Sequence, residues 1–137
     1  MKSGKKFPLK DYIAGGVVAN ALAWLTLGVS AFSEINPFNL GYLLVIMYLV
    51  GSLFGGYLVG RKMKQDYLKN GLLTGVFSFV VHVYVLVGFL WIFTGSQELS
   101  LQEHLMIFSV LLLGSCLGAF LSKLIVSGRY VPPKEAS

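Results

Sequence analysis

Four apolar stretches without a single Asp, Glu, Lys or Arg dictate what this chain can fold into: residues 13–32, 40–59, 71–93 and 105–122. A bilayer core of about 30 Å is crossed by about 20 residues at 1.5 Å rise each, so every stretch is long enough to span it. Only 12% of the 137 residues are charged, against roughly 25% in soluble domains. A water-soluble fold could not cover so much apolar surface. The expected fold is an all-α, four-helix transmembrane bundle forming one integral membrane domain over residues 1–137.

Helix punctuation falls between the blocks. Asn36-Pro37 places a cap before a proline at the first helical position, where its missing N–H costs nothing. Ser100-Leu101-Gln102-Glu103 has the form of a capping box, and Gly128 with Pro132-Pro133 ends the last helix. Val29-Ser30-Ala31 offers a signal-cleavage pattern. The preceding apolar run exceeds the 7–15 residues of a signal h-region, so the first block is read as a retained span.

All 11 Lys and Arg residues fall on one side of this layout. Lys2, Lys5, Lys6 and Lys10 precede the first span; Arg61, Lys62, Lys64 and Lys69 lie in the middle loop; Lys123, Arg129 and Lys134 follow the fourth. The other side carries Glu34, Glu98 and Glu103. The positive-inside rule then predicts a multi-pass protein of the cell (cytoplasmic) membrane with both termini cytoplasmic. The same distribution assigns the net charge of +5 to topology and lipid headgroups rather than to nucleic acid, whose binders carry basic grooves with base-reading partners. Tyr12, Tyr57, Tyr67 and Tyr130 suit the inner aromatic belt, and Phe32, Phe38, Trp91 and Phe93 the outer one. Trp24, deeper, is expected against a neighbouring helix.

An internal repeat is visible. Gly51-Ser52-Leu53-Phe54-Gly55-Gly56-Tyr57-Leu58 aligns with Gly114-Ser115-Cys116-Leu117-Gly118-Ala119-Phe120-Leu121 at an offset of 63, and the starts of the first and third spans align from Lys10 and Lys69 at an offset of 59. Two tandem hairpins of the same topology follow, expected to be related by an axis along the membrane normal. Small residues four apart let helices approach closely in lipid. Gly51/Gly55, Ser52/Gly56/Gly60, Gly114/Gly118/Ser122, Gly15/Ala19/Ala23 and Gly71/Gly75 form such faces, expected as the seams of the bundle.

His82 is the one ionisable group deep in a span, about 16 Å beyond Gly71 by helical rise. Asn20 is the other deep polar side chain and is placed to bond it. Thr74, Ser78 and His82 share a helix face, giving a polar seam of His82, Asn20, Thr74 and Ser78. Such a residue invites a proton relay or ligand contact. With no carboxylate or cationic side chain at its depth, a neutral histidine bonding a neighbouring helix is favoured. Ordinary Ser and Thr bond their own helix carbonyls. His104 beside Glu103 at the outer interface is too small a set for zinc, which takes three or four ligands. Cys116 excludes an intrachain disulfide, and no catalytic triad or phosphate loop is present. No cofactor, metal or enzymatic activity is expected.

Gly55-Gly56-Tyr57-Leu58-Val59-Gly60-Arg61-Lys62, followed by Asn70-Gly71-Leu72-Leu73-Thr74-Gly75, resembles a group of small prokaryotic four-helix integral membrane proteins. These carry a GG-aromatic-xxGRK turn leading into a Gly-rich third helix and have no established activity. The resemblance implies the four-span layout and adds no catalytic residue. The leading functional expectation is a non-enzymatic component that self-associates or assembles with another membrane protein. A transporter or channel subunit for a small solute or proton is the alternative. A lipid-acting enzyme built on His104 and Glu103 is the least favoured.

Overall fold

The computed structural model of the chain describes residues 6–30, 32–34, 36–94 and 100–128. Lys2, Lys5, Ala31, Glu98, Arg129, Tyr130, Pro132, Pro133 and Lys134 lie outside the described residues, as do the side chains of Phe38, Trp91 and Phe93. Four helices run α1 Leu9–Ser30, α2 Pro37–Met63, α3 Tyr67–Thr94 and α4 Leu101–Gly128. Each meets the length and apolarity needed to cross a membrane.

The helices overrun the uncharged blocks at most ends, because backbone hydrogen bonding does not stop at the hydrocarbon edge. α1 is the exception and closes two residues early. There the hydroxyls of Ser30 and Ser33 donate to the carbonyls of Leu27 and Val29, which an unfinished helix end leaves unpaired. α2 begins at Pro37. At the start of α4 the Ser100 N–H donates to Glu103 Oε2 (3.0 Å) and the Glu103 N–H to Ser100 Oγ (3.3 Å), a reciprocal capping box.

Burial is inverted relative to a soluble protein. Among the described residues the largest fully buried side chains are Leu111, His82, Asn20, Thr74, Ser52, Ser78, Ser115 and Ser122, whereas Leu25, Val29, Phe54, Leu113 and Leu124 are about half or more exposed. Polar groups inside and a continuous apolar exterior suit a lipid solvent, where an unpaired polar group at the surface costs several kcal/mol.

Around the bundle the helices follow the order α1, α2, α4, α3, with α2 also touching α3 across the short diagonal. The seam of α2 with α4 is the most extensive, and α1 and α4 occupy far corners. Like helices are therefore neighbours: α1 lies parallel to α3, and α2 parallel to α4. Their register is uniform. Tyr12 meets Asn70, Asn20 meets Ser78, and Ser52 meets Val110, each pair 58 residues apart. The second hairpin is thus laid beside the first rather than opposite it. An axis along the membrane normal would have packed α1 on α4 as it packed α2 on α3, so that expectation is corrected.

The small residues explain why. A Cβ on Gly51 or Gly55 would fall on the Ala19 or Gly15 carbonyl of α1, but a Cβ on the aligned Gly114 or Gly118 would fall on Ser52 or the Leu53 carbonyl of α2. Gly56 and Gly60 face Ser115 and Ser122 of α4, and a Cβ added at Gly71 or Gly75 would lie 2.8 Å from the Cα of Cys116 or Leu112 of α4. The repeated motif serves the α1 seam in α2 and the α2 seam in α4. Equivalent sequence positions do not occupy equivalent seams, because α2 has two small faces and docks a helix on each.

These glycines lie in the half of the bundle nearer its basic end, where the backbones approach closely. Larger side chains fill the opposite half: Tyr48 and Leu111 at the core, with Leu44, Met47, Phe79, Ile107 and Val110 packed around them. At the basic end Lys62 of α2 is paired with Asp11 of α1, an exposed contact worth about 0.2–1 kcal/mol.

Candidate functional site

A buried polar column runs along α3 from the basic end toward the opposite one. Asn70, Thr74, Ser78 and His82 stand one turn apart on one face, each at most 4% exposed. At its start Tyr12 of α1 donates its hydroxyl to Asn70 Oδ1 (2.6 Å), and Asn70 Nδ2 donates to the Gln65 carbonyl (2.6 Å). Tyr12 also stacks on Phe77, with centroids 5.8 Å apart and planes 7° from parallel. It is therefore a packed interhelical anchor rather than a lipid-facing belt residue.

The hydroxyls higher up serve their own helix. Thr74 Oγ1 donates to the Asn70 carbonyl (2.6 Å) and Ser78 Oγ to the Thr74 carbonyl (2.5 Å). Asn20 of α1 joins at the Ser78 level, its Nδ2 donating to the Gly16 carbonyl (2.7 Å) and across to the Ser78 carbonyl (3.0 Å). The expected Asn20–His82 bond is not the one formed. The α1/α3 register sets Asn20 beside Ser78, four residues or about 6 Å short of His82.

His82 instead bonds Tyr48 of α2, with Nδ1 2.9 Å from the phenol oxygen, and their rings meet edge to face. Near it stands His104, at a centroid distance of 6.3 Å, and Phe79 stacks on the His82 ring and meets His104 edge to face. His104 was expected at the outer interface beside Glu103. Glu103 is held by the helix cap, whereas His104 turns inward to the depth of His82. The helix pairing places it there: Phe79 meets Phe108 at 4.9 Å, so the first turn of antiparallel α4 comes level with His82. His82 is consequently not alone at its depth. Tyr48, His104, Asn70 and Tyr12 are the site members that residue patterns missed. Tyr48 sits in an unbroken apolar run, and Asn70 and His104 near helix ends read as boundary residues.

The column ties α1 to α3 at Tyr12–Asn70 and Asn20–Ser78, and α3 to α2 at His82–Tyr48. Interhelical hydrogen bonds in membranes are worth roughly 0.6–2 kcal/mol each. Asn20 Oδ1, His82 Nε2, His104 Nδ1 and Ser115 Oγ are covered without a protein partner. Among the described residues no three His, Cys, Asp or Glu side chains converge as metal ligands. Trp24, expected against a neighbouring helix, is half-buried on the outward side of α1, where it lines a shallow cleft.

No curated protein and no solved structure matches the chain. A family model described as "Protein of unknown function (DUF3792)" matches residues 6–122, a range that takes in α1, α2, α3, most of α4 and every member of the polar column. This chain, a small multi-pass membrane protein with a four-helix bundle, belongs to the DUF3792 family.

Proposed function

We propose that the protein is a non-enzymatic component of the cell (cytoplasmic) membrane that works by assembly, with a second copy or with another membrane protein, and that both termini are cytoplasmic. The orientation rests on the gathering of all 11 Lys and Arg residues at one end of the layout. The interior supports a scaffold: its Tyr12–Asn70, Asn20–Ser78 and Tyr48–His82 contacts join helices. The turn similar to that of small prokaryotic membrane proteins, residues 55–62, contributes to the same packing through Gly55, Gly56 and Gly60.

The observation that carries the assembly reading is on α1. The small-residue faces of the four spans close on one another within the chain, but Gly28, like Gly41 and Gly88, stays open. Its Cβ position has nothing within 4 Å. With Ala21, Trp24, Leu25, Val29 and Phe32 it forms an apolar cleft of about 620 Å³ on the outward side of a corner helix. Ala21 and Gly28, two turns apart, let another helix approach closely there. Purified in mild detergent, the wild type is expected to show a mass above 15.0 kDa after subtraction of the micelle, or to retain a membrane partner. Ala21→Leu with Gly28→Leu is expected to fill the cleft and give the free monomer. A wild type that is already monomeric and partnerless would sink the proposal.

A transporter or channel subunit for a small solute or proton is the second reading, motivated by the unpartnered His82 Nε2 and Asn20 Oδ1 within the column. Proteoliposome flux tests it: equal rates for wild type, His82→Ala and Asn20→Ala would remove these residues from any pathway.

A further inference from the structure

We propose that the basic end of the α3/α4 seam is a binding site for one anionic phospholipid, whose phosphodiester sits between Lys69 and Lys123. The site is a cleft of about 450 Å³ lined by Asp66, Tyr67, Leu68, Lys69, Phe120 and Lys123. Three features select a lipid and its charge.

The cations come from two different helices, Lys69 from the first turn of α3 and Lys123 from the last turns of α4. Among the described residues neither forms a salt bridge with a carboxylate; the ion pair at this end belongs to Lys62 and Asp11. Lys123 extends over the Phe120 ring, its Nζ 6.0 Å from the centroid, which holds the ammonium at the cleft while its stem lies on apolar surface. Asp66 also lines the cleft. Two ammonium groups against one carboxylate leave a single net positive charge, the complement of one phosphodiester such as that of phosphatidylglycerol. Asp66 can accept hydrogen bonds from headgroup hydroxyls. A phosphatidylcholine would bring a quaternary ammonium that cannot donate to Asp66 and would leave the net charge of the cleft unmatched.

The walls below the charges are apolar and open to the hydrocarbon. Leu68 and Phe120 are exposed in the cleft, and Leu72 and Leu117, one turn further into the span on each helix, are exposed as well. This gives the acyl chains a continuous strip along the helices. The cleft lies at the helix ends, at headgroup depth, where a basic side chain near an anionic membrane surface is worth roughly a fivefold change in affinity.

The test is native mass spectrometry of the full chain released from micelles containing equimolar phosphatidylglycerol and phosphatidylcholine. The wild type is expected to retain one phosphatidylglycerol in preference to phosphatidylcholine. Lys69→Gln with Lys123→Gln is expected to cut that preference by an order of magnitude or more, at roughly fivefold for each lysine. Lys6→Gln with Lys10→Gln removes the same charge from the same end outside the cleft and is expected to change it less than twofold. Equal losses in the two double variants would show general surface attraction and overturn the site. Soluble glycerophosphoglycerol at millimolar concentration is expected not to displace the bound lipid; full displacement would overturn the role of the acyl strip. All four lysines are exposed, and unchanged helical circular dichroism verifies that each variant is folded.

Discussion

Gly118→Ala is expected to lower the stability of the bundle by about 1–3 kcal/mol, the cost of overpacking a close-packed interior. A Cβ at this position would fall on the Leu53 carbonyl oxygen, with the Tyr57 nitrogen 2.7 Å away. Both are backbone atoms, so no rotamer change can relieve the clash. The α2/α4 seam must open, and it is the most extensive in the molecule. In lipid that seam is held by close packing rather than by expulsion of water, so separation forfeits the dispersion contacts that hold it. Gly56→Ala should behave alike, because its Cβ would meet the Ser115 carbonyl from the other side of the same seam. Gly88→Ala supplies the contrast. Nothing lies within 4 Å of its Cβ position, and a helical glycine made alanine in open space is expected to gain about 0.4–1 kcal/mol. Unfolding by sodium dodecyl sulfate in maltoside micelles, followed by circular dichroism, measures the difference. Coincident midpoints for Gly118→Ala and Gly88→Ala would refute the seam as described.

His82→Ala is expected to cost about 2–4 kcal/mol, in the range of large-to-small changes in a packed core. The imidazole is fully buried and is surrounded by Tyr48, Phe79 and His104. Removing it leaves a hole among aromatic rings and deprives the Tyr48 hydroxyl of its partner, so a transfer term, a cavity term and an unsatisfied polar group add together. Tyr84→Ala, two residues along the same helix, removes a larger side chain that is 82% exposed and is expected to stay within about 0.5 kcal/mol of wild type. The comparison also bears on function. A column that joins helices must weaken when His82 is lost, whereas a hydrated pathway would tolerate a smaller side chain there. Wild-type stability in His82→Ala would favour the second reading and argue against the scaffold.

The polar column shows where residue patterns suffice and where they stop. Thr74, Ser78 and His82 were recognisable as one face because a helix repeats every 3.6 residues, and this requires no knowledge of any neighbour. Which atoms they touch depends on the sliding register of one helix against another, and the four-residue stripe is equally compatible with several registers. Asn20 accordingly meets Ser78 rather than His82. His104 is placed by the pairing of antiparallel α4 with α3, a relation that leaves no local trace in the residues around it. Tyr12 illustrates the same limit. Its position near a span end indicates an interfacial ring, and only the presence of Asn70 and Phe77 beside it makes it a buried anchor.

Residue patterns alone set the solvent, the number of spans and the starts of α2 and α4. Uncharged runs prefer hydrocarbon, Pro37 starts a helix through its fixed φ and missing N–H, the Ser100/Glu103 box starts one through its reciprocal hydrogen bonds, and the cations gather at one end, all without reference to distant residues. Tertiary structure decided the arrangement of those spans: α1 beside α3, α2 sandwiched by glycine contacts to α1 and α4, two histidines at one depth, and Gly28 left facing outward. The physical reason is that hydrophobicity sorts segments into the membrane but does not distinguish one apolar helix face from another within it. Only the shape of the small-residue faces and a few polar pairs, acting between residues dozens of positions apart, select which faces meet.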